Sequence, residues 1–203
     1  MNRNLIMMIE ASFLAVFALI LDLLPSIRLT PAVSISIAMI PIFIMAIRWG
    51  IKGGLISGFL WGLLQVVTGD VYVLTISQFL IEYFIAFAFV GFAGLFYKAI
   101  QSALQGGLKK RAVSLIILAV FVGSIARYFW HFIAGVIFWG SYAPEGMSPY
   151  LYSFIVNGAT MLGAAVLCAI VLVILINAAP RLVLRKVNNQ ILSESLNESK
   201  KRA

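Results

Sequence analysis

Six apolar runs, separated by short breaks of charged, glycine and proline residues, make up most of this chain. The first spans 5–24 and ends at Leu23-Leu24-Pro25. A loop with Arg28 and Pro31 leads to a second run at 33–47, and Arg48-Trp49-Gly50-Ile51-Lys52-Gly53-Gly54 turns the chain into a short third at 55–68. Thr68-Gly69-Asp70 opens the fourth, 73–97. A polar, basic segment, 98–111, precedes the fifth, 112–139. After a loop from Gly140 to Pro149 comes the sixth, 150–178. A basic, polar tail from Pro180 reads as an amphipathic helix lying in the headgroup region. A membrane-crossing helix needs about 20 apolar residues, so the pattern predicts an all-α membrane bundle of six spans in one domain, 1–203, with 180–203 as its tail. Runs two and three are short for a crossing, which points to tilt or partial interfacial placement.

Charge sets the orientation. Arg3, Arg48, Lys52, Lys98, Lys109, Lys110, Arg111, Arg181, Arg185 and Lys186 fall on one side, whereas the opposite loops hold Arg28 with Asp70 and Glu145. Positive loops stay in the cytoplasm, so both termini are expected there. The net charge of +8 is thus spent at helix ends, not gathered into a patch for nucleic acid. The composition agrees: 63% hydrophobic, 11% charged, mean hydropathy +1.05, against about 25% charged in a soluble domain. The 203 residues leave no room for a nucleotide-binding domain, and no phosphate-binding GxxxxGK[ST] stretch occurs. Work against a gradient would draw on an ion or another subunit. Cys168, alone in an apolar run, implies helix packing, and residues 1–24 lack the short core and A-x-A site of a cleavable signal.

Against this background Glu82 stands out, because a carboxylate within a membrane span costs about 2.5–3.5 kcal/mol and marks a site by default. Its alternative is a buried ion pair with Arg127. Gln78 precedes it by one helical turn and Tyr83 is adjacent. In the fifth run Arg127, His131, Gly135 and Trp139 recur every fourth residue and so share one stripe. Arg127 reads as a structural cation paired with backbone carbonyls or a carboxylate, and His131 as a ligand-facing or packing group. Trp61 and Tyr72 fit either an interfacial belt or a pocket wall. Tyr152 and Asn157 open the sixth run, Asn157 as either helix-bridging glue or a pocket group. Glu10 and Asp22, near the two ends of the first run, can both reach a headgroup interface. An acid with several flat rings suits an organic cation, through charge and cation–π contact. One His and one Glu cannot close a metal shell, no nucleophile–base–acid spacing argues for catalysis, and no cofactor is implied. Ala11 and Ala15 form an A-x-x-x-A pair that lets another helix approach closely.

Three segments, GFLWGLLQVVTGDVYVLTISQFLIEY, RYFWHFIAGVIFWGSYAPEG and YSFIVNG, resemble the thiamine-specific S component of energy-coupling factor (ECF) transporters, and the likeness covers nearly all of the chain. The resemblance implies a bacterial plasma-membrane protein that binds thiamine near the outer face and performs no chemistry. A transmembrane coupling subunit and two ATPases would drive release inside. It also implies roles: Glu82 as counter-charge to the thiazolium, Trp139 and His131 stacked on the rings, and Tyr83, Tyr152 and Asn157 as hydrogen-bonding groups. Trp61 and Tyr72 would wall the pocket, and Ala11 and Ala15 would meet the coupling subunit. One departure is visible: the loop SIRLTPAVS lacks the aromatic residue that family members can place in a lid. Two other readings stay open, an S component for another vitamin or thiamine precursor and a standalone proton-coupled carrier using Glu82. A lipid-headgroup enzyme with Glu82 and His131 as acid and base finds too few polar residues near the membrane surface.

Overall fold

The computed structural model describes residues 2–30 and 33–185. Helix α1 (Arg3–Asp22) begins where Asn2 caps it, its side chain accepting from the Asn4 amide at 3.0 Å. A small antiparallel hairpin follows, β1 (Ile27–Thr30) with β2 (Val33–Ile35), in the register Ile27↔Ile35 and Arg28↔Ser34. Then come α2 (Ile40–Trp49), α3 (Ile51–Thr68), α4 (Ile76–Gln105), α5 (Lys109–Phe138) and α6 (Pro149–Ala178). All except α2 are long and apolar enough to cross a membrane.

The second run departs from its expected 33–47. Its first residues are strand, and the helix starts only at Ile40, with Pro41 in its first turn, and stops at Gly50, whose φ of 79° a side chain would resist. Ten residues rise about 15 Å, half of the hydrocarbon thickness. Such a short helix is tolerated because it is wrapped by the others: Ile42, Phe43, Met45, Ala46 and Ile47 all have 0% exposure. The hairpin precedes it and pairs part of its own backbone. The fourth run extends past its expected end, since the supposed polar loop 98–111 is helix as far as Gln105.

Polar residues tie the bundle at both ends. Near the outer end Asp22 accepts from Gln65 Nε2 and, at 3.4 Å, from Ser36 Oγ, joining α1, α3 and the hairpin exit. At the cytoplasmic end Glu10 accepts from Arg48 Nε at 2.7 Å and from Trp49 Nε1 at 2.6 Å. Arg48 also donates to the carbonyls of Arg181 and Leu184, and Gln101 Nε2 to those of Ile47 and Val183. Residues Pro180–Leu182 form one 3-10 turn within this clamp; the tail helix expected beyond falls at 186–203, outside the described residues.

The Ala11/Ala15 pair is a correction. Both are 0% exposed, and α3 packs there, Ser57 Oγ donating to the Ala11 carbonyl at 3.0 Å. The small residues admit α3 from the same chain, so they offer no face to a partner subunit. Lipid-facing bulk on α1 comes instead from residues such as Phe13, 71% exposed.

Between the tied ends, α3 meets α4 along a glycine column, Gly54, Gly58 and Gly62. A Cβ on Gly54 would lie 2.6 Å from the Gly91 Cα, one on Gly58 would meet the Phe87 carbonyl, and one on Gly62 would overlap the Tyr83 carbonyl oxygen. Helix α4 is itself irregular. It is a π-helix over Leu80–Ile85, with the Ala86 amide donating to Ile81 O, and tightens to 3-10 over Val90–Phe96. The wide π turn needs the space that Gly62 leaves, and π segments recur at functional sites. Gly62→Ala is therefore expected to force α3 and α4 apart at a cost of about 3 kcal/mol or more. Gly158→Ala, whose Cβ would meet only Tyr128 at 3.8 Å, is expected to be neutral or mildly stabilising. Thermal unfolding in detergent, followed by tryptophan fluorescence, checks the pair; equal melting temperatures would contradict the close packing.

Candidate functional site

The π segment carries Glu82, and the loop before α4 is fastened to it. Thr75 caps the helix through the Gln78 amide. The Gln78 side chain then binds in three directions: Oε1 accepts from Leu74 N at 3.1 Å, and Nε2 donates to Tyr72 O at 3.1 Å and to Glu82 Oε2. The other carboxylate oxygen, Oε1, accepts from Trp139 Nε1 at 2.8 Å. Both donors are neutral. Among the described residues the one ion pair joins Arg48 to Glu10, so the expected alternative of a Glu82–Arg127 pair is not what forms.

Trp139 stands at the end of α5 with its ring edge on Glu82 and its face among tyrosines, Tyr72 at 5.3 Å and Tyr142 at 5.5 Å between centroids. Beside them lies a cavity of about 370 Å³ lined by Glu82, His131, Gly135, Trp139, Tyr142, Tyr152, Ser153, Val156 and Asn157. Helix α6 reaches this close to α5 because residue 135 is glycine: a Cβ there would fall 2.8 Å from Asn157 Nδ2. Asn157 Nδ2 donates to Ser153 Oγ at 3.2 Å, and Ser153 Oγ to the Phe132 carbonyl at 2.8 Å. The Asn157 carbonyl oxygen remains as an acceptor.

Arg127 differs from expectation. Its Nε donates to His131 Nε2 at 3.2 Å, and its guanidinium lies over the rings of Phe87 and Trp61 at 4.4 and 5.0 Å. Aromatic faces thus replace the expected carbonyls or carboxylate. Accepting at Nε2 requires a neutral imidazole with its proton on Nδ1, so His131 can offer a donor without adding charge.

Of the eight pocket residues expected from the sequence, five meet at one cavity: Glu82, His131, Trp139, Tyr152 and Asn157. Tyr72 is 56% exposed and closes the aromatic group from outside. Trp61 is buried, not part of an interfacial belt, and lines a second cavity beside Arg127, His131 and Asn157. Tyr83 lines neither: its hydroxyl accepts from the Tyr72 amide at 2.8 Å and its ring packs on Phe79 and Phe87. It acts as a staple for the loop, which corrects its reading as a pocket group. Missed were Tyr142 and Ser153. Tyr142 follows Trp139 by three residues in a loop whose 3-10 turn, Gly140–Tyr142, the sequence did not announce. Ser153 sits one helical turn before Asn157, a spacing that could have flagged it.

Comparison with known proteins places this geometry. Residues 8–184 match a family model described as "Thiamine transporter protein (Thia_YuaJ)". The chain is 38% identical over 183 residues to the thiamine transporter ThiT of Bacillus subtilis, covering 89% of this chain and 95% of that one. It is 37% identical over 188 residues to ThiT of Lacticaseibacillus paracasei, covering 91% and 94%. Among solved structures, ThiT from Listeria monocytogenes superposes with a TM-score of 0.87 at 39% identity, over 91% of this chain and all of that one. These are transporters, not enzymes, from bacteria, with the same helical membrane architecture. The chain belongs to the thiamine transporter protein (Thia_YuaJ) family of bacterial multi-pass membrane proteins.

Proposed function

We propose that this protein takes up thiamine as the substrate-capturing subunit of an ATP-driven transporter, binding the vitamin at the outer face in the Glu82 cavity. The observation that carries this reading is the state of Glu82: a half-buried carboxylate whose partners, Gln78 and Trp139, are both neutral. Neutral donors solvate the anion but leave its charge for a cationic guest, and the thiazolium ring of thiamine carries a fixed positive charge. Trp139 and the tyrosines beside it supply flat faces for a ring cation. His131, Tyr152 and Asn157 supply the hydrogen bonds that fix orientation. The relatives are named thiamine transporters, which favours thiamine over another flat vitamin or a precursor.

Transport against a gradient then draws on partners. The described residues are mostly apolar helix and include no nucleotide-binding domain, which supports the reading that a coupling transmembrane subunit and two ATPases supply the work. The partner contact lies elsewhere than Ala11 and Ala15, whose side chains are covered by α3.

Isothermal titration of the purified chain with thiamine is expected to give sub-micromolar binding. Removing the buried counter-charge with Glu82→Gln is expected to cost at least about 2 kcal/mol, or roughly thirtyfold in Kd. Wild-type binding weaker than micromolar, or a variant indistinguishable from wild type, would overturn the assignment. Trp139→Phe keeps a ring but removes the donor to Glu82, and is expected to weaken thiamine by about tenfold. In proteoliposomes, uptake is expected to need ATP and the partner subunits; accumulation by this chain alone, driven by a proton gradient, would establish the standalone carrier instead.

A further inference from the structure

A small cavity of about 100 Å³ lies at the cytoplasmic end, away from Glu82. There the end of α4, the start of α5 and the end of α6 meet the 3-10 turn that follows α6. Leu104, Val113, Ile176 and Leu184 give it apolar walls, and Lys109 and Asn177 are the polar side chains that line it. A pocket for a whole small molecule starts at about 300 Å³, so this hollow admits only part of one. At a membrane boundary an apolar hollow of that size suits the first carbons of a chain whose remainder lies in the bilayer. Leu108, Ile174 and Leu182, near the lining residues in the chain, are exposed and extend the apolar surface towards lipid.

Charge gathers at the same rim. Lys109 opens a run of three cations with Lys110 and Arg111, and Arg181 follows the lining residue Pro180. All four are exposed, and none forms an ion pair among the described residues. The one acid described at this end, Glu10, is already held by Arg48 and Trp49. Topology accounts for cations on this side. It does not account for an apolar hollow beside them, nor for a lysine among its lining.

We infer that this cleft holds an anionic phospholipid of the inner leaflet, with its phosphodiester at Lys109 and Asn177 and the start of one acyl chain in the hollow. Lys110, Arg111 and Arg181 add to the positive field at the headgroup. The lipid is favoured over an acidic protein segment or free phosphate because only the lipid offers both the anion and the hydrocarbon that this lining matches. The site is independent of thiamine and of the Glu82 cavity.

Native mass spectrometry of the full chain, released from detergent with equal amounts of phosphatidylglycerol and phosphatidylcholine, tests the inference. One retained phosphatidylglycerol is expected, preferred by about tenfold. Lys109→Gln is expected to cut that preference about fivefold, whereas Lys98→Gln, on the same side but outside the cavity lining, is expected to leave it intact. Val113→Phe, which fills the hollow without changing charge, is expected to lower retention; should it not fold, Lys109→Gln, at an exposed side chain, decides alone. Equal retention of the two lipids, or equal losses with Lys98→Gln and Lys109→Gln, would overturn the site in favour of diffuse surface charge. Displacement of the lipid by an equal concentration of inorganic phosphate would overturn it in favour of a free anion, and retention of no lipid would leave the cations to a protein partner.

Discussion

The arrangement depends on placing one carboxylate within a membrane helix while denying it a cation of the protein's own. Insertion of such a group costs about 2.5–3.5 kcal/mol, and an arginine in reach would remove the cost by cancelling the charge. Arg127 is the obvious candidate, but the bundle directs its guanidinium onto the faces of Trp61 and Phe87 and its Nε onto His131. Aromatic quadrupoles and a neutral imidazole hold it there, at the wall of a second chamber. Glu82 meanwhile is solvated by an amide and an indole N–H. The result is two separated charges of opposite sign instead of one ion pair, and the anion is the one that faces the larger cavity.

Backbone geometry enforces the separation. Glu82 lies on the π turn of α4, and the 3-10 stretch after it tightens what the π turn widened. Neither irregularity would persist in an isolated apolar helix, where regular α hydrogen bonds are free to form. They persist because α3 presses against them through Gly54, Gly58 and Gly62 with no side chain in between. Gln78 and Tyr83 then fasten the preceding loop, so that Tyr72 and Trp139 come to rest ring against ring. The chain of cause runs from glycine spacing to a local change of helix type, and from there to the position of one carboxylate.

Much of this was legible in the residues alone. The apolar runs gave the helical membrane bundle, and the four-residue stripe on α5 put Arg127, His131, Gly135 and Trp139 on one face. The glycine column was equally readable at i, i+4 and i+8 but was passed over in favour of Ala11 and Ala15, which pack internally. Other features were out of reach because they depend on tertiary pairing. The strand at Val33–Ile35 forms where apolar continuity suggested helix and that at Ile27–Thr30 where a loop was expected, and only burial of α2 on all sides allows a helix so short. The resemblance implied a pocket role for Tyr83, yet the π turn directs it to the loop. Neighbours in sequence part company when the helix changes pitch.

Polar ties gather at both ends of the bundle. At the cytoplasmic end Glu10, Arg48, Trp49 and Gln101 bind α1, α2, α4 and the segment after α6 through charged or amide groups. Toward the outer end two ties centre on acids: Asp22 with Gln65 and Ser36 on one side, and Glu82 with Gln78 and Trp139 on the other. Both outer ties are centred on carboxylates at the two cavities, so the groups that close the outer end of the bundle are also groups a guest would engage. On the proposed reading, a ligand entering there would exchange partners with bonds that join the outer helices, at the end opposite the cytoplasmic clamp.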